Sequence, residues 1–211
     1  GGAVTLVARQ GKVAHLQAFG RLDPRTGAAM TTDAIFRIAS QTKAVTSVAV
    51  MILFEEGRLL IDDPVAKYIP EFAKTTVAVP DGSKTGSGYK IVPAKRKITI
   101  RDLLTHTSGV SYGDGPAKDL YAKAGIQGWF LADRAEPIGD IVKRLARLPF
   151  DAQPGEKYIY GYNTDILGHL VEVVSGQSLA EFVERRIAKP LAMADTSFFL
   201  PPEKADRLAA V

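Results

Sequence analysis

The stretch that decides the fold is residues 34–54, which read AIFRIASQTKAVTSVAVMILF. An extended apolar segment leads into Ser40-Gln41-Thr42-Lys43, and a run of apolar residues follows. This run predicts a central helix from about Ser40 to Glu56, ended by Gly57 and buried on most sides. Two helical residues three positions apart lie roughly 60° apart around the axis, so Ser40 and Lys43 share a face.

This pair has the chemistry of a nucleophile and its base. A serine hydroxyl reacts poorly until a neighbouring group takes its proton, and a lysine can take it when burial or nearby charge lowers its pKa. The alternative is a helix-capping serine beside a surface lysine. A second Ser-x-x-Lys, Ser87-Gly88-Tyr89-Lys90, lies in a glycine-rich stretch with no helix to orient it. Context therefore favours Ser40 and Lys43 as the candidate catalytic pair.

Composition limits the classes of function. The 211 residues are 46% hydrophobic and 24% charged, with a net charge of +4, which is typical of a soluble globular domain. The one tight basic run, Lys95-Arg96-Lys97, has no aromatic ladder, so we expect no nucleic-acid partner. Without cysteine, thiolate chemistry is excluded. The longest mostly apolar run, Ala44 to Phe54, is too short to span a bilayer, and the N-terminus does not read as a signal peptide. The compartment stays undetermined.

The rest of the chain predicts one hairpin and several helices. Val4 to Arg9 and Val13 to Phe19 flank a turn and predict a β-hairpin, whereas Thr75 to Lys97 looks like a long surface excursion. Four later helices are predicted, at 99–109, 138–148, 164–175 and 178–189. Capping boxes open the first and the last of them. A lone hairpin is marginal in water. We therefore expect residues absent from this chain to complete the sheet.

Several motifs, in order and at plausible spacing, resemble the serine β-lactamase-like superfamily. They cover about residues 4 to 200 and are Phe36 to Lys43, Glu56 to Leu59, Asp62 to Val65, Leu103 to Gly109, Pro154 to Tyr158, Leu167 to His169 and Lys189 to Met193. The chain is most similar to class C β-lactamases, family VIII carboxylesterases and related D-alanyl peptidases. The resemblance implies an α/β (α+β) fold of the β-lactamase/transpeptidase type, with an antiparallel sheet flanked by helices. It implies a single domain over 1–211 with a mostly helical subdomain at about 60–160.

The resemblance also implies roles for particular residues. Ser40 would be the acylated nucleophile, Lys43 its general-base partner and Tyr160 the proton-shuttling tyrosine. Tyr158 and Tyr162 are rival candidates for the tyrosine, and any of the three could instead pack its ring in the core. The strict Tyr-x-Asn pattern is not matched, and Asn163 is the candidate for the missing amide. The expected substrate-binding residues are Tyr112, Tyr162 and Asn163.

Two other matches to known sequence motifs are interpreted as coincidences. Gly109-Val110-Ser111-Tyr112-Gly113 fits the nucleophile elbow of α/β-hydrolases, but that elbow needs a strand before the serine and a helix after it. Lys84-Thr85-Gly86 matches the third element of the family, but it precedes the tyrosine loop instead of following it. Ser111 remains the nucleophile of an alternative hypothesis, an α/β-hydrolase.

No third element follows Tyr160, and the leading helix of the family is absent before Gly1. We therefore expect the middle of a larger enzyme, completed by a missing C-terminal segment or a second chain, and inactive or nearly so alone. None of His15, His106 and His169 has metal-ligand spacing, so no metal and no cofactor are expected. The resemblance to family VIII esterases implies a carboxylesterase for short-chain esters. The alternatives are a β-lactamase or D-alanyl-D-alanine carboxypeptidase, an acyltransferase, and a non-catalytic penicillin-binding-like protein.

Overall fold

A computed structural model describes residues 1–82, 88–128 and 135–210 of the chain. Within those ranges the structure is mixed α/β, with two small antiparallel sheets and six α-helices. The chain divides into two compact units, Gly1–Thr42 with Leu191–Val211, and Lys43–Pro190. The expected single domain with a helical subdomain at about 60–160 stays a prediction.

The first unit is built on the predicted hairpin. β1 (Gly2–Arg9) pairs antiparallel with β2 (Lys12–Asp23), and β3 (Ala28–Ala29) pairs with the end of β2. The turn between β1 and β2 holds Gln10 at φ 52° and Gly11 at φ 71°. Two successive left-handed residues match the right-handed twist of the flanking strands. The hairpin is confirmed, and both strands are longer than predicted.

A small core holds the two segments of this unit together. Leu22, Met30 and Ala209 are buried against one another, and Ile35 forms a parallel bridge with Leu208. The apolar side chains of the hairpin are mostly exposed: Leu6, Val7, Val13, Leu16 and Phe19. That residues outside this chain complete the sheet stays a prediction.

The second unit begins at Lys43, the second residue of the central helix. α1 spans Thr42–Glu55 and is followed by Gly57 at φ 69°, as the sequence predicted. Burial on most sides was wrong, because only one face of the helix packs into the core of its unit. Ala49, Val50 and Leu53 are 0% exposed, whereas Val48, Met51 and Phe54 on the other face are 36–48% exposed.

Short helices and turns surround α1 in this unit. Two 3-10 turns come first, at Val65–Lys67 and Pro70–Lys74. The helices are α2 (Ile100–Leu104), α3 (Lys118–Lys123), α4 (Ile138–Leu145), α5 (Asn163–Ser175) and α6 (Leu179–Val183), which continues as a π-helical turn over Glu184–Ala188. The sequence did not predict α3. Both predicted capping boxes are confirmed: Thr99 with Asp102, and Ser178 with Glu181.

One core serves all these elements. The side chains that are at most 1% exposed within it include Leu53, Phe72, Leu103, Phe150, Ile166 and Phe182. Among the helices of the described ranges, none has the length and apolar character that crossing a membrane requires.

The segment predicted as a surface excursion is in part a second hairpin. β4 (Thr76–Pro80) pairs antiparallel with β5 (Tyr89–Pro93), and Val77 and Ala78 are each 1% exposed. Ala78 donates its N–H to the Phe150 carbonyl at 2.8 Å, which ties the hairpin to the core. The prolines and glycines of this segment concealed its short β pattern. Lys84-Thr85-Gly86, interpreted above as a coincidental match, and Ser87 of the second Ser-x-x-Lys lie outside the described residues.

Candidate active site

The site is built around Lys43 and Tyr160, both in the second unit. Lys43 lies in the first turn of α1, and Tyr160 lies in the segment that leads into α5. Ile159 donates its backbone N–H to the His106 carbonyl at 2.7 Å, which fixes this segment beside the end of α2. Lys43 Nζ is 4.6 Å from the centroid of the Tyr160 ring, and the two side chains are also hydrogen-bonded. The structure brings these two predicted residues together.

Tyr112 completes an aromatic wall beside them. Its ring meets Tyr160 edge-on at 5.8 Å and 77°, and Lys43 hydrogen-bonds to Tyr112 as well. The backbone of Gly161 makes this approach possible, because a Cβ there would lie 2.5 Å from the Val110 carbonyl oxygen. Only glycine fits between the two loops, so Gly161 sets how closely Tyr160 approaches Tyr112.

The charges at this site influence one another. Burial lowers the pKa of Lys43, but the hydrogen bond to Tyr160 and the charges of Tyr112, Tyr160 and Asp165 outweigh it, so the pKa lies above its ordinary value. Burial raises the pKa of Asp165 to about 6, although Lys43 and the backbone N–H act in the opposite direction. At neutral pH the site therefore contains a lysine ammonium and an ionised aspartate, and burying that carboxylate charge costs free energy.

Ser40 belongs to the first unit and lies on a 3-10 turn, Ala39–Gln41, that immediately precedes α1 in the chain. The sequence had placed it on the helix itself. Ala39 adopts φ 42°, a left-handed conformation that costs a residue with a Cβ about 1 kcal/mol or more. Strain of this kind is concentrated at functional sites. The assignment of Ser40 as nucleophile stays a prediction.

Tyr162 and Asn163 are enclosed in the protein. Tyr162 is 1% exposed, and its hydroxyl donates to the Gly128 carbonyl. Asn163 is 0% exposed, and its amide contacts Ser108, His106 and two backbone carbonyls. Their predicted role in substrate binding stays a prediction, and in this structure their polar atoms bond to protein groups. Tyr112, which is only partly buried, is the remaining candidate for contact with substrate.

The rival tyrosines differ from Tyr160 in their contacts. Tyr158 is 65% exposed, and its ring contacts His106 at 5.7 Å. The hydroxyl of Tyr162 is directed at Gly128, as described above. Neither has a described ring contact with Lys43, whereas Tyr160 has one. The geometry therefore favours Tyr160.

The setting of Ser111 does not resemble a nucleophile elbow. Ser111 is 2% exposed, and its Oγ accepts the Gly113 N–H at 3.1 Å. Residues 105–117, all of them described, contain no strand. The elbow needs a strand directly before the serine, so the interpretation as a coincidence agrees with the structure.

The remaining histidines make local contacts. His15 on β2 lies 2.7 Å from the Thr5 hydroxyl on β1, and His169 on α5 lies 3.2 Å from Glu172. In the ranges that the structure describes, no group of three or more acidic or histidine side chains is arranged to hold a metal. That the protein needs no metal or cofactor stays a prediction.

Sequence reasoning missed the contribution of Asp165 and understated that of His106. Asp165 follows Tyr160 by five residues, and a single aspartate in the first turn of a helix usually complements the helix dipole. Its burial near Lys43 depends on tertiary packing. From the sequence, His106 was considered above only as a possible metal ligand, whereas its ring stacks on Tyr160 at 5.1 Å.

Comparison with known proteins agrees with this fold. The family model described as beta-lactamase matches residues 1–211. Esterase EstB of Burkholderia gladioli is 37% identical over 200 residues, covering 93% of this chain and 47% of its own length. Monacolin J acid methylbutanoyltransferase of Aspergillus terreus is 32% identical over 182 residues, covering 85% and 41%. The chain thus spans less than half the length of these two relatives.

A solved structure shows the same fold. "EstCE1, a hydrolase with promiscuous acyltransferase activity" superimposes with a TM-score of 0.81 at 30% identity, covering 100% of this chain and 51% of that one. The predicted fold class, a β-lactamase-like mixture of small antiparallel sheets and helices, is confirmed. The match of the family model over the whole chain and the likeness of the fold lead to one conclusion: this chain belongs to the beta-lactamase family.

Proposed function

We propose that the protein is a serine hydrolase that acts on short-chain carboxylic esters through a covalent acyl-enzyme. The observation that carries the proposal is the contact between Lys43 Nζ and the ring of Tyr160, 4.6 Å from its centroid. Lys43 follows Ser40 by three residues, and Ser40 is the residue of the Ser-Gln-Thr-Lys motif that the family resemblance assigns as nucleophile.

In the proposed reaction, Ser40 Oγ attacks the ester carbonyl carbon while the Lys43–Tyr160 pair accepts the hydroxyl proton. The tetrahedral intermediate collapses, the bond to the alcohol oxygen breaks, and that oxygen takes the proton from the pair. Water then attacks the acyl carbon and gives its proton to the same pair; the bond between the acyl carbon and Ser40 Oγ breaks, Oγ takes that proton from the pair, and a carboxylic acid leaves. The Ser40 backbone N–H is one donor to the developing oxyanion.

The raised pKa of Lys43 shapes this relay. The amine is an ammonium in the free protein at neutral pH, and Tyr160 is hydrogen-bonded to it. The form of this pair that has lost one proton is the form that accepts the serine proton. A bound substrate excludes water and adds to the burial that lowers the pKa of the amine.

Ser40→Ala and Ser111→Ala, made in the enzyme that includes the segment expected to complete the sheet and assayed with p-nitrophenyl acetate and butyrate, test the proposal. We expect Ser40→Ala to lower kcat by about 10³-fold or more, and Ser111→Ala to keep the activity of a correctly folded protein. A fluorophosphonate probe should label Ser40, as shown by mass spectrometry of the labelled peptide. Label on Ser111, or full activity in Ser40→Ala, would refute the assignment.

A second candidate function is transfer of the acyl group to an alcohol. The printed descriptions of two matching proteins, a methylbutanoyltransferase and a hydrolase with acyltransferase activity, favour it. Only the acceptor differs between the two reactions. Adding a primary alcohol to the ester assay and measuring the new ester against the free acid distinguishes them. Hydrolysis of a chromogenic cephalosporin would instead favour the β-lactamase alternative.

A further inference from the structure

His106 joins the end of α2 to the segment that carries Tyr160. Its own N–H donates to the Leu103 carbonyl at 3.2 Å, and its carbonyl accepts the Ile159 N–H at 2.7 Å. The residue adopts φ 56°, a left-handed conformation in which histidine, asparagine and aspartate are enriched among residues with a Cβ. This conformation turns the chain at the end of α2, so the backbone of His106 meets the residue directly before Tyr160.

The ring of His106 lies against the ring of Tyr160. The two planes are 17° apart, and their centroids are 5.1 Å apart, which is a stacked arrangement. Tyr158 meets the same imidazole at 5.7 Å and 42°. Tyr160 is 41% exposed, so packing encloses only part of its ring. The stacked imidazole limits that movement on the side where it lies.

Asn163 holds the imidazole in one orientation. The amide Nδ2 of Asn163 lies 3.1 Å from His106 Nδ1, and also 3.3 Å and 3.2 Å from the carbonyls of Val110 and Ile159. Two carbonyl acceptors identify this atom as the amide nitrogen, because only a donor can face them. The amide nitrogen donates hydrogen bonds and does not accept them, so His106 Nδ1 is the acceptor. The ring is therefore neutral, with its proton on Nε2.

The electrostatic surroundings agree with a neutral ring. Burial and the charge of Lys43 lower the pKa of His106, and the Ile159 backbone raises it by less. A second cation beside Tyr160 would compete with the Lys43 ammonium for the same phenol. The imidazole thus supplies a flat surface without adding a charge.

We propose that His106 is a positioning residue, whose Asn163-oriented neutral ring holds the Tyr160 phenol against Lys43 during acyl transfer. This inference rests on the function proposed above, because it assigns His106 to the same relay. His106 acts through Tyr160 and needs no contact with the substrate.

Two substitutions separate the ring from the backbone. His106→Asn keeps a residue that tolerates the left-handed conformation but removes the ring. His106→Phe keeps a flat ring and removes the acceptor nitrogen. His169→Asn, on α5 and paired with Glu172, is the matched control for loss of a histidine. All variants are made in the full protein, and thermal unfolding confirms that each is folded before it is assayed.

The first measurement is the acylation rate with a p-nitrophenyl ester under single-turnover conditions. We expect His106→Asn to lower this rate by about 10- to 100-fold, because small misplacements of a reacting group are costly, with KM changed by less than about threefold. His106→Phe should keep most of the parent's acylation rate, and His169→Asn should have the same acylation rate as the parent. A folded His106→Asn with the parent rate overturns the proposal. A folded His106→Phe as slow as His106→Asn overturns the role of stacking.

The second measurement does not depend on activity. In protein labelled with ¹³C at the tyrosine rings, the Tyr160 signals are assigned by their loss in Tyr160→Phe. Loss of the stacked imidazole should shift these signals in His106→Asn and leave them in place in His169→Asn. Unchanged Tyr160 signals in His106→Asn refute the positioning role. If Ser40→Ala keeps full hydrolysis while the Tyr160 signals shift as expected, the proposed function fails and the contact between His106 and Tyr160 stands.

Discussion

Replacing Asp165 with asparagine should raise the free energy of unfolding at neutral pH. The size of this gain should fall as the pH is lowered. Asp165 lies in the first turn of α5, largely buried and near Lys43. Burial raises its pKa from 3.8 to about 6. Asparagine has the same shape and never ionises, so it avoids the cost of burying the charge.

The magnitude follows from the change in pKa. A rise from 3.8 to about 6 is about two units. One unit corresponds to about 1.4 kcal/mol, so the ionised carboxylate costs the folded state about 3 kcal/mol above pH 6. Since the folded pKa is the higher one, the folded state binds more protons between pH 4 and 6. The parent therefore loses stability as the pH rises through this window. Below pH 3.8 the carboxyl is neutral in both states, and the difference disappears.

Urea unfolding of the parent and Asp165→Asn at pH 4 and pH 8 measures this effect. We expect nearly equal free energies of unfolding at pH 4 and a gain of up to about 3 kcal/mol for the variant at pH 8. Asp140→Asn is the matched control, because Asp140 also lies in the first turn of a helix, α4, but is exposed. The same gain at both pH values, or an equal gain in Asp140→Asn, would refute the reasoning.

The same variant should also change the pH dependence of catalysis. The charge of Asp165 is among the groups that raise the pKa of Lys43. The parent should gain kcat/KM with rising pH, because the relay must lose one proton before it accepts another. In Asp165→Asn this rise should begin at lower pH. A rise at unchanged or higher pH would show that Asp165 does not influence the relay.

Two further substitutions test the packing beside the site. Asp102→Asn should lower the free energy of unfolding in urea by about 2 kcal/mol, because Asp102 is 5% exposed and accepts hydrogen bonds from Arg96 at 2.5 and 2.8 Å. Asp62 lies in an exposed ion pair with Arg101, so Asp62→Asn should change the free energy of unfolding little. Gly109→Ala should cost about 3 kcal/mol or more, since its Cβ would lie 2.1 Å from the Ala152 carbonyl oxygen at φ 92°. Gly176→Ala, at φ 73° with no atom within 4 Å, should cost only about 1 kcal/mol. Equal losses in the two glycine variants, or in the two aspartate variants, would contradict these assignments.

Elements with strong local signals were predicted well. The turn at Gln10-Gly11 and the capping boxes at Thr99 and Ser178 depend on residues within a few positions of each other. The hairpin of β4 and β5 was missed, because its stability comes from the backbone bonds between Thr76–Ala78 and the distant Phe150. The exposed face of α1 was missed for the same reason, since an apolar pattern does not show what packs on each side.

The sequence by itself determined the Ser-x-x-Lys motif, the family and the two capping boxes, because short-range backbone geometry and residue chemistry encode them. Only the tertiary structure decided that Tyr160 is the tyrosine in contact with Lys43, that Tyr162 and Asn163 are enclosed, and that His106 stacks on the phenol. The pKa of Asp165 also depended on it. Burial and the distances between charges are set by segments more than thirty residues apart in the chain, and no local pattern of residues fixes them.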